Sequence, residues 1–305
     1  MEHNKLEGII PAVFTPMNAD YSLNTGLIEH LAKVLTKNGV SGFFVAGTTG
    51  ETTSLTLEER MELAEVWRSH TPSGMKLIIH VGHNCLSDAQ KLARHAASIK
   101  ADGISAFPPS YYKPLRMEEL VNYCKAIADS GNGLPFYYYH IPFLTGVHVK
   151  MHDFIRTAKT NIPHFTGIKF TNNDLMDYRL ASTYGKNKYN MLCGLDEMLL
   201  PAMTMGAKGA VGGTYNFAAP LYIQIIKAYE NNNIETAQAL QDKSIQMIQI
   251  LQQYGGAITA GKSIMKMLGI DCGPCRLPLR TLTRKDEETL QKELDDISFF
   301  QYAIK

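Results

Sequence analysis

Tyr139 and Lys169 are the two residues of this chain whose types and spacing point most directly to chemistry. Each lies near the end of a short apolar and aromatic run, residues 135–141 and 165–170, and Tyr139 precedes Lys169 by 30 positions. That interval corresponds to one strand–helix unit, so we expect the two side chains side by side on neighbouring parallel strands. A lysine amine condenses with a ketone to form a Schiff base, and a phenol transfers protons to and from the adduct. The pair predicts carbonyl chemistry, and the competing interpretation is a strand-end lysine that only covers apolar surface.

The amine of a lysine in water is protonated and must lose its proton before it attacks a ketone. Burial in apolar surroundings disfavours the charged form. We expect Ile168, Phe170 and the aromatic residues before Tyr139 to supply these surroundings.

Short apolar runs that alternate with longer amphipathic runs are expected to position the pair. The predicted strands are residues 8–14, 42–46, 76–81, 103–107, 135–141, 166–170, 190–194 and 208–212. The predicted helices are residues 25–38, 56–69, 86–100, 116–130, 150–160, 174–185 and 195–205, the second of which opens with a capping box. Strands that alternate with helices predict a parallel sheet, and eight of them favour an α/β fold of the (β/α)8 TIM-barrel class over a doubly wound sheet.

The chain is long enough for this barrel and an additional segment. We assign residues 1–230 to the barrel, with an active site at the carboxyl ends of the strands. Residues 231–305 have helical apolar spacing and no strand partner, so we predict a C-terminal helical extension packed on the barrel.

Composition and charge exclude several classes of partner. The 305 residues carry 30 basic and 29 acidic side chains, a net charge of +1, which favours neither nucleic acid nor an anionic membrane as a partner. No apolar stretch is long enough to span a bilayer, and the charged residues 1–7 do not resemble a signal peptide. Five cysteines, an odd number, suit a reducing compartment, so we expect a cytoplasmic protein.

Further candidate motifs follow the predicted strands. Residues 47–51, Gly-Thr-Thr-Gly-Glu, predict a small nest of amides and hydroxyls that suits a carboxylate or phosphate, or else a tight turn with hydroxyl caps. Asp196 and Glu197 are suited to the hydroxyls of a polyol, or else to a helix N-terminus. His80 and His83 lack carboxylates at ligand spacing, so we predict no metal site there, and we expect His140 to point away from Tyr139.

Two other motifs suggest different functions. Residues 256–263 match the nucleotide-binding pattern G-x-x-x-x-G-K-[ST]. The preceding residues have helical rather than strand spacing, and no later strand ends in an aspartate, so we do not expect an NTPase. Cys272 and Cys275 form an isolated C-x-x-C among glycine and proline residues, which is weak support for redox chemistry or a zinc site.

Four motifs together resemble a known superfamily. The segments GTTGE (47–51), YHIP (139–142), GIK (167–169) and GGTYN (212–216) occur in the order and spacing of the pyruvate-dependent class I aldolases. This superfamily contains the N-acetylneuraminate lyases and the dihydrodipicolinate synthases, and the resemblance covers nearly the whole chain. It looks closest to the lyase branch over residues 137–142 and 144–147.

The resemblance implies a barrel with a three-helix extension, assembled as a homotetramer, that acts on a small molecule without metal or organic cofactor. It implies that Lys169 forms the Schiff base and that Tyr139 shuttles the proton. The positions that it implies contact the ketoacid carboxylate or the sugar-like tail are Thr48, Thr49, Thr171, Gly194, Asp196 and Glu197. Tyr111 aligns with a tyrosine that the synthases donate across a subunit interface, which makes it a candidate proton relay.

Two positions distinguish branches of the superfamily. Leu144 stands where the synthases carry an arginine for the carboxylate of an aldehyde, and leucine cannot make that contact. Gly213 stands where the lyases usually carry a serine that touches the substrate, so we expect weaker substrate affinity or a shifted preference among sialic acids. The expected reaction is reversible cleavage of N-acetylneuraminate to N-acetylmannosamine and pyruvate. The alternatives are a pyruvate aldolase or hydro-lyase for another 2-keto-3-deoxy acid, and a non-catalytic ketoacid sensor.

Overall fold

The computed structural model describes residues 5–305, which contain an eight-stranded parallel sheet. The strands are β1 (Gly8–Pro11), β2 (Gly42–Val45), β3 (Lys76–His80), β4 (Gly103–Ala106), β5 (Phe136–His140), β6 (Phe165–Phe170), β7 (Asn190–Cys193) and β8 (Gly209–Gly212). Each overlaps one predicted strand. The first four residues of the charged N-terminal segment lie outside the described residues.

The sheet closes on itself. The strands follow the order β1-β8-β7-β6-β5-β4-β3-β2, and every neighbouring pair is parallel. The two remaining edges meet through a parallel bridge between Ala12 and Phe44 and through a hydrogen bond from the Ser41 N–H to the Ile9 carbonyl (2.9 Å). The predicted (β/α)8 TIM barrel is therefore confirmed.

Helices alternate with the strands and then continue past the barrel. They are α1 (Ile28–Lys37), α2 (Leu57–His70), α3 (Leu86–Ser98), α4 (Met117–Ser130), α5 (Pro142–Thr145), α6 (Met151–Asn161), α7 (Leu175–Thr183), α8 (Leu199–Thr204), α9 (Tyr215–Glu230), α10 (Ile234–Gln253), α11 (Gly256–Met267) and α12 (Arg284–Asp296). The predicted capping box of α2 is confirmed, because the Thr56 hydroxyl accepts the Glu59 N–H and the Glu59 carboxylate accepts the Thr56 N–H. The division at residue 230 into barrel and extension stays a prediction.

Two apolar cores flank the strands. One lies between the barrel and its surrounding helices, and the other fills the barrel with inward-facing residues such as Ile10, Phe44, Ile78, Tyr137 and Leu192. Polar residues, among them Thr48, Lys169 and Asp196, lie at the carboxyl ends of the strands above this inner core. Within residues 5–305, no helix is long and apolar enough to cross a membrane.

Candidate active site

Tyr139 and Lys169 lie directly opposite each other on β5 and β6. The Lys169 Nζ is 4.0 Å from the centroid of the Tyr139 ring and 4.4 Å from that of Phe44. Lys169 is 3% exposed, and no carboxylate of residues 5–305 forms an ion pair with it. The predicted juxtaposition is confirmed, and the amine lies between aromatic faces rather than beside an acid.

The expectation that Ile168 and Phe170 enclose the amine is wrong. Both belong to the outer core, whereas Tyr139 and the Phe44 ring that contacts Lys169 belong to the inner core. Successive residues of a strand point to opposite faces, so the neighbours of Lys169 cannot share its side of the sheet. The apolar surroundings come from other strands.

The turn after β2, residues 47–51, lies against this pair. The Thr48 Oγ1 is 3.2 Å from the Tyr139 Oη, within hydrogen-bond distance. Gly47 is required by a close approach, because a Cβ at this position would lie 2.5 Å from the Phe44 ring. The turn thus brings the Thr48 hydroxyl to the phenol, and the predicted anion nest stays a prediction.

Glu51 anchors the end of this turn to the C-terminal part of the chain. Its Oε1 forms an ion pair with the Lys262 Nζ at 2.6 Å, and its Oε2 accepts the Arg276 N–H at 2.7 Å. The Lys262 ammonium also donates to the Pro274 carbonyl at 2.8 Å. Both side chains of the ion pair are buried, so it ties the turn to α11 in a place that water does not screen.

The structure excludes the nucleotide-binding interpretation of residues 256–263. Residues 256–267 form α11, so the glycine-rich segment is a helix and not a phosphate-binding loop. Its lysine, Lys262, is occupied by Glu51.

Asp196 lies in the turn between β7 and α8. Its Oδ2 accepts two hydrogen bonds from Thr214, from the backbone N–H (2.9 Å) and the hydroxyl (2.6 Å). Its Oδ1 has no hydrogen-bond partner among residues 5–305. Burial raises the pKa of Asp196, partly offset by Thr214 and by the charge of Lys169, and burial also raises the pKa of the adjacent Glu197.

Glycines at the end of β8 allow close approach between the two sides of the site. A Cβ at Gly212 would lie 1.6 Å from the Asp196 Oδ1. A Cβ at Gly213 would lie 2.9 Å from the Thr49 Oγ1. Gly213 therefore faces Thr49 in the turn of residues 47–51, the threonine turn, rather than the Asp196 carboxylate.

These residues surround one cavity of about 340 Å³ at the carboxyl ends of the strands. Nine of the predicted site residues line it: Thr48, Thr49, Tyr139, Lys169, Thr171, Gly194, Asp196, Glu197 and Gly213. Tyr111 does not line it, because it lies in the loop after β4 with 77% of its surface exposed. The roles of all ten predicted site residues in binding and catalysis stay predictions.

The sequence reasoning missed the part of the wall that comes from the C-terminal helices. Gln252 and Ile258 line the cavity on either side of the junction between α10 and α11. Gly255 and Gly256 form this junction with φ angles of 87° and 79°, which favour glycine. The glycine pair was the available signal for a sharp turn, but nothing local indicated that the turn would cover the barrel.

The histidines are placed as follows. His80 is fully buried inside the barrel, where its ring contacts Phe44 and Tyr139, and burial lowers its pKa well below the usual value. His140 points away from Tyr139, as predicted, and burial lowers its pKa to about 4. His83 lies at the surface beside the N-terminus of α3, outside the cavity.

Cys272 and Cys275 are both buried free thiols. Burial raises the pKa of Cys272 to about 12 and also raises that of Cys275, which disfavours the thiolate that redox exchange and zinc binding need. Neither belongs to a group of potential metal ligands within residues 5–305.

A comparison with known proteins agrees with this geometry. The sequence profile of the Dihydrodipicolinate synthetase family matches residues 5–297. The chain belongs to this family. Among relatives, the N-acetylneuraminate lyase of Pongo abelii is 37% identical over 303 residues, which cover 98% of this chain and 95% of that protein. That of Xenopus tropicalis is 41% identical over 285 residues, with coverages of 92% and 93%.

The solved structures give the same relationship. The structure of Proteus mirabilis N-acetylneuraminate lyase matches with a TM-score of 0.93 and 37% identity, covering 97% of this chain and 100% of that one. The resemblance inferred from four short motifs is therefore confirmed over nearly the whole chain.

Proposed function

We propose that this protein is a class I aldolase that reversibly cleaves N-acetylneuraminate to N-acetylmannosamine and pyruvate. The observation that carries the proposal is the buried Lys169 amine beside the Tyr139 ring, in a cavity that Thr48, Thr49, Asp196 and Glu197 also line. The relatives named above as N-acetylneuraminate lyases support the choice of substrate.

The proposed reaction uses Lys169 as nucleophile. Its neutral amine adds to the ketone carbon of the open-chain sugar acid, and loss of water leaves an iminium ion that accepts electrons. Tyr139 takes the proton of the C4 hydroxyl as the C3–C4 bond breaks, which releases the aldehyde and leaves an enamine. Tyr139 returns that proton to C3, and water then hydrolyses the iminium to pyruvate and the free amine.

The two ends of the cavity receive the two parts of the substrate in this proposal. Thr48 and Thr49 hold the ketoacid carboxylate next to the reacting pair. Thr171, Gly194, Asp196 and Glu197 line the cavity and contact the polyhydroxy tail, with the carboxylates as acceptors for its hydroxyls.

The test is to trap the Schiff base. Wild type incubated with pyruvate and borohydride should gain the mass of one reduced pyruvate, and Lys169→Ala should gain none and lose all turnover. Lys266→Ala, at an exposed lysine of α11, is the control and should trap pyruvate like wild type. Trapping by Lys169→Ala, or turnover in that variant, would contradict the mechanism.

A second candidate is an aldolase of the same mechanism for another 2-keto-3-deoxy acid. The observation in its favour is that the Tyr139–Lys169 pair suits any 2-keto acid, so only the residues proposed to contact the tail distinguish the substrates. Comparison of kcat/KM for N-acetylneuraminate with that for shorter 2-keto-3-deoxy acids separates the two candidates.

We also propose that the protein is a homotetramer and that Tyr111 completes the proton path of a neighbouring copy. Tyr111 and Tyr112 are 77% and 85% exposed in the single chain, which suits a surface that another copy covers. Sedimentation analysis gives the mass of the assembly, and Tyr111→Phe should lower kcat without preventing assembly. The cytoplasmic location stays a prediction.

A further inference from the structure

The turn that carries Asp196 is held from outside the barrel by α10. The Gln241 side chain accepts the Leu200 N–H (2.9 Å) and donates to the Asp196 carbonyl (3.3 Å). One amide group therefore links Asp196, in the turn, to Leu200 in the first turn of α8. Gln241 is 4% exposed, so its loss would leave these backbone groups buried without partners.

A second connection reaches the Asp196 carboxylate through three hydroxyl groups. The Thr214 hydroxyl that contacts the Asp196 Oδ2 also lies 2.8 Å from the Tyr222 Oη, which in turn lies 2.8 Å from the Ser244 Oγ. All four side chains are buried. Ser244 follows Gln241 by three residues, so both project from one face of α10.

These contacts fix the orientation of the Asp196 carboxylate. Thr214 occupies the Asp196 Oδ2, and the Oδ1 is left without a partner beside the backbone of Gly212. Asp196 lines the cavity, so rotation of its carboxylate would change the acceptor that it presents to a hydroxyl group there.

We propose that Gln241, Tyr222 and Ser244 are positioning residues that orient the Asp196 carboxylate and thereby decide which polyhydroxy tail the enzyme accepts. None of the three lines the cavity, so they act through Asp196 rather than on the substrate. This inference rests on the proposed function, because it assumes that Asp196 meets the tail.

The experiment compares two aldehyde acceptors in the synthetic direction with pyruvate: N-acetylmannosamine, with its full polyol chain, and glyceraldehyde, with little of it. The variants are Ser244→Ala and Gln241→Leu. Gln246→Leu, at an exposed position of the same helix, is the matched control. We expect the two buried variants to lower the ratio of kcat/KM for the long acceptor to that for the short one by about 3- to 10-fold, the usual effect of one lost hydrogen bond. In both variants the KM for pyruvate and the amount of borohydride-trapped adduct should be unchanged. In the control, the kcat/KM ratio, the KM for pyruvate and the trapped adduct should all match wild type.

A merely structural role would affect both acceptors and pyruvate alike. An unchanged ratio in folded variants, or an equal loss with both acceptors, would therefore overturn the inference. If Gln241→Leu does not fold, Tyr222→Phe removes only a hydroxyl from the same chain of contacts and must show the same loss of ratio. A wild type that traps no pyruvate would overturn the proposed function instead, whereas trapping with an unchanged ratio would overturn this inference alone.

Discussion

The two ends of the cavity are both supported by the C-terminal helices, but by different kinds of interaction. At the threonine end, α11 holds the turn through the buried ion pair of Lys262 with Glu51. At the Asp196 end, α10 holds the turn through the neutral groups of Gln241 and Ser244. Removal of one partner of a buried ion pair leaves an uncompensated charge and costs about 3–5 kcal/mol, whereas each neutral group left unpaired costs about 1–3 kcal/mol.

This difference matters for how such a site changes. Substitutions around the ion pair are expected to be costly, and they affect the end that lies beside Lys169. Substitutions that remove a single neutral contact, such as Ser244→Ala, are expected to cost less, and they affect the end assigned to the substrate tail. The architecture thus allows tail preference to change while the Schiff-base chemistry stays the same.

The largest expected effect comes from the reacting pair itself. Tyr139→Phe removes the proposed acid–base group and keeps the ring that lies over Lys169, so kcat should fall by about 10²–10⁴-fold. Steady-state kinetics with N-acetylneuraminate measures this. The KM for the substrate should change little, because the tail contacts are intact. A large rise in KM with kcat preserved would mean that the phenol binds substrate rather than moving protons.

Lys262→Met tests the ion pair at the threonine end. The methionine fills similar space but leaves Glu51 buried without its partner, which should destabilise the fold by about 3–5 kcal/mol. Urea unfolding gives this value, and the KM for pyruvate should rise because the threonine turn is loosened. The control is Lys266→Met on the same helix, whose exposed pair with Glu287 should cost at most about 1 kcal/mol.

The double variant Glu51→Gln, Lys262→Met removes both charges. It should be more stable than Lys262→Met alone, because no charge is then left buried without a partner. A double variant that is less stable than the single one would show that the charge of Glu51 has another source of compensation.

Gly213→Ser tests whether residue 213 belongs to the threonine end or to the tail end of the cavity. Its Cβ would lie 2.9 Å from the Thr49 Oγ1, so Thr49 must shift and the KM for pyruvate should change by a few-fold. The KM for N-acetylmannosamine should stay close to that of wild type. A change confined to the sugar would place residue 213 at the tail end instead.

The smallest effect is a pH dependence of the tail end. Because burial raises the pKa of Asp196, this carboxyl takes up a proton at a higher pH than an ordinary aspartate does. As the pH is lowered, the KM for N-acetylmannosamine should therefore begin to rise at a pH higher than the one at which ordinary carboxyl groups are protonated. In Asp196→Asn this rise should be smaller, with the part due to Glu197 remaining, and an identical pH profile in both proteins would exclude Asp196 as a cause.

The raised pKa also affects stability, and its sign can be stated. The folded protein binds the Asp196 proton more tightly than the unfolded chain does, so ionisation of this group lowers the free energy of unfolding as pH rises through the folded pKa. Below the unfolded pKa, where the group is protonated in both states, this cost is absent. Asp196→Asn should remove this contribution, as thermal unfolding across the acid range would show.

Much of the fold was predictable from local patterns. Apolar runs such as residues 76–81 and 190–194 became strands, and Thr56 and Glu59 became a capping box, because backbone sterics and side-chain periodicity act over a few residues. The adjacency of Tyr139 and Lys169 follows from the regular spacing of parallel strands. Strand periodicity also implied that Ile168 and Phe170 face away from the amine, a consequence that the sequence interpretation had overlooked.

The supports of the site depend on tertiary structure. Glu51 meets the Arg276 backbone across 225 positions, and Asp196 meets Gln241 across 45. Lys262 matched a phosphate-binding pattern and is instead the partner of a buried carboxylate. The amino-acid sequence by itself determined the barrel and the reacting pair, since both follow from periodicities within and between neighbouring units. Only the packing of α10 and α11 over the barrel decided how each end of the cavity is held, because that packing depends on surfaces assembled from distant segments.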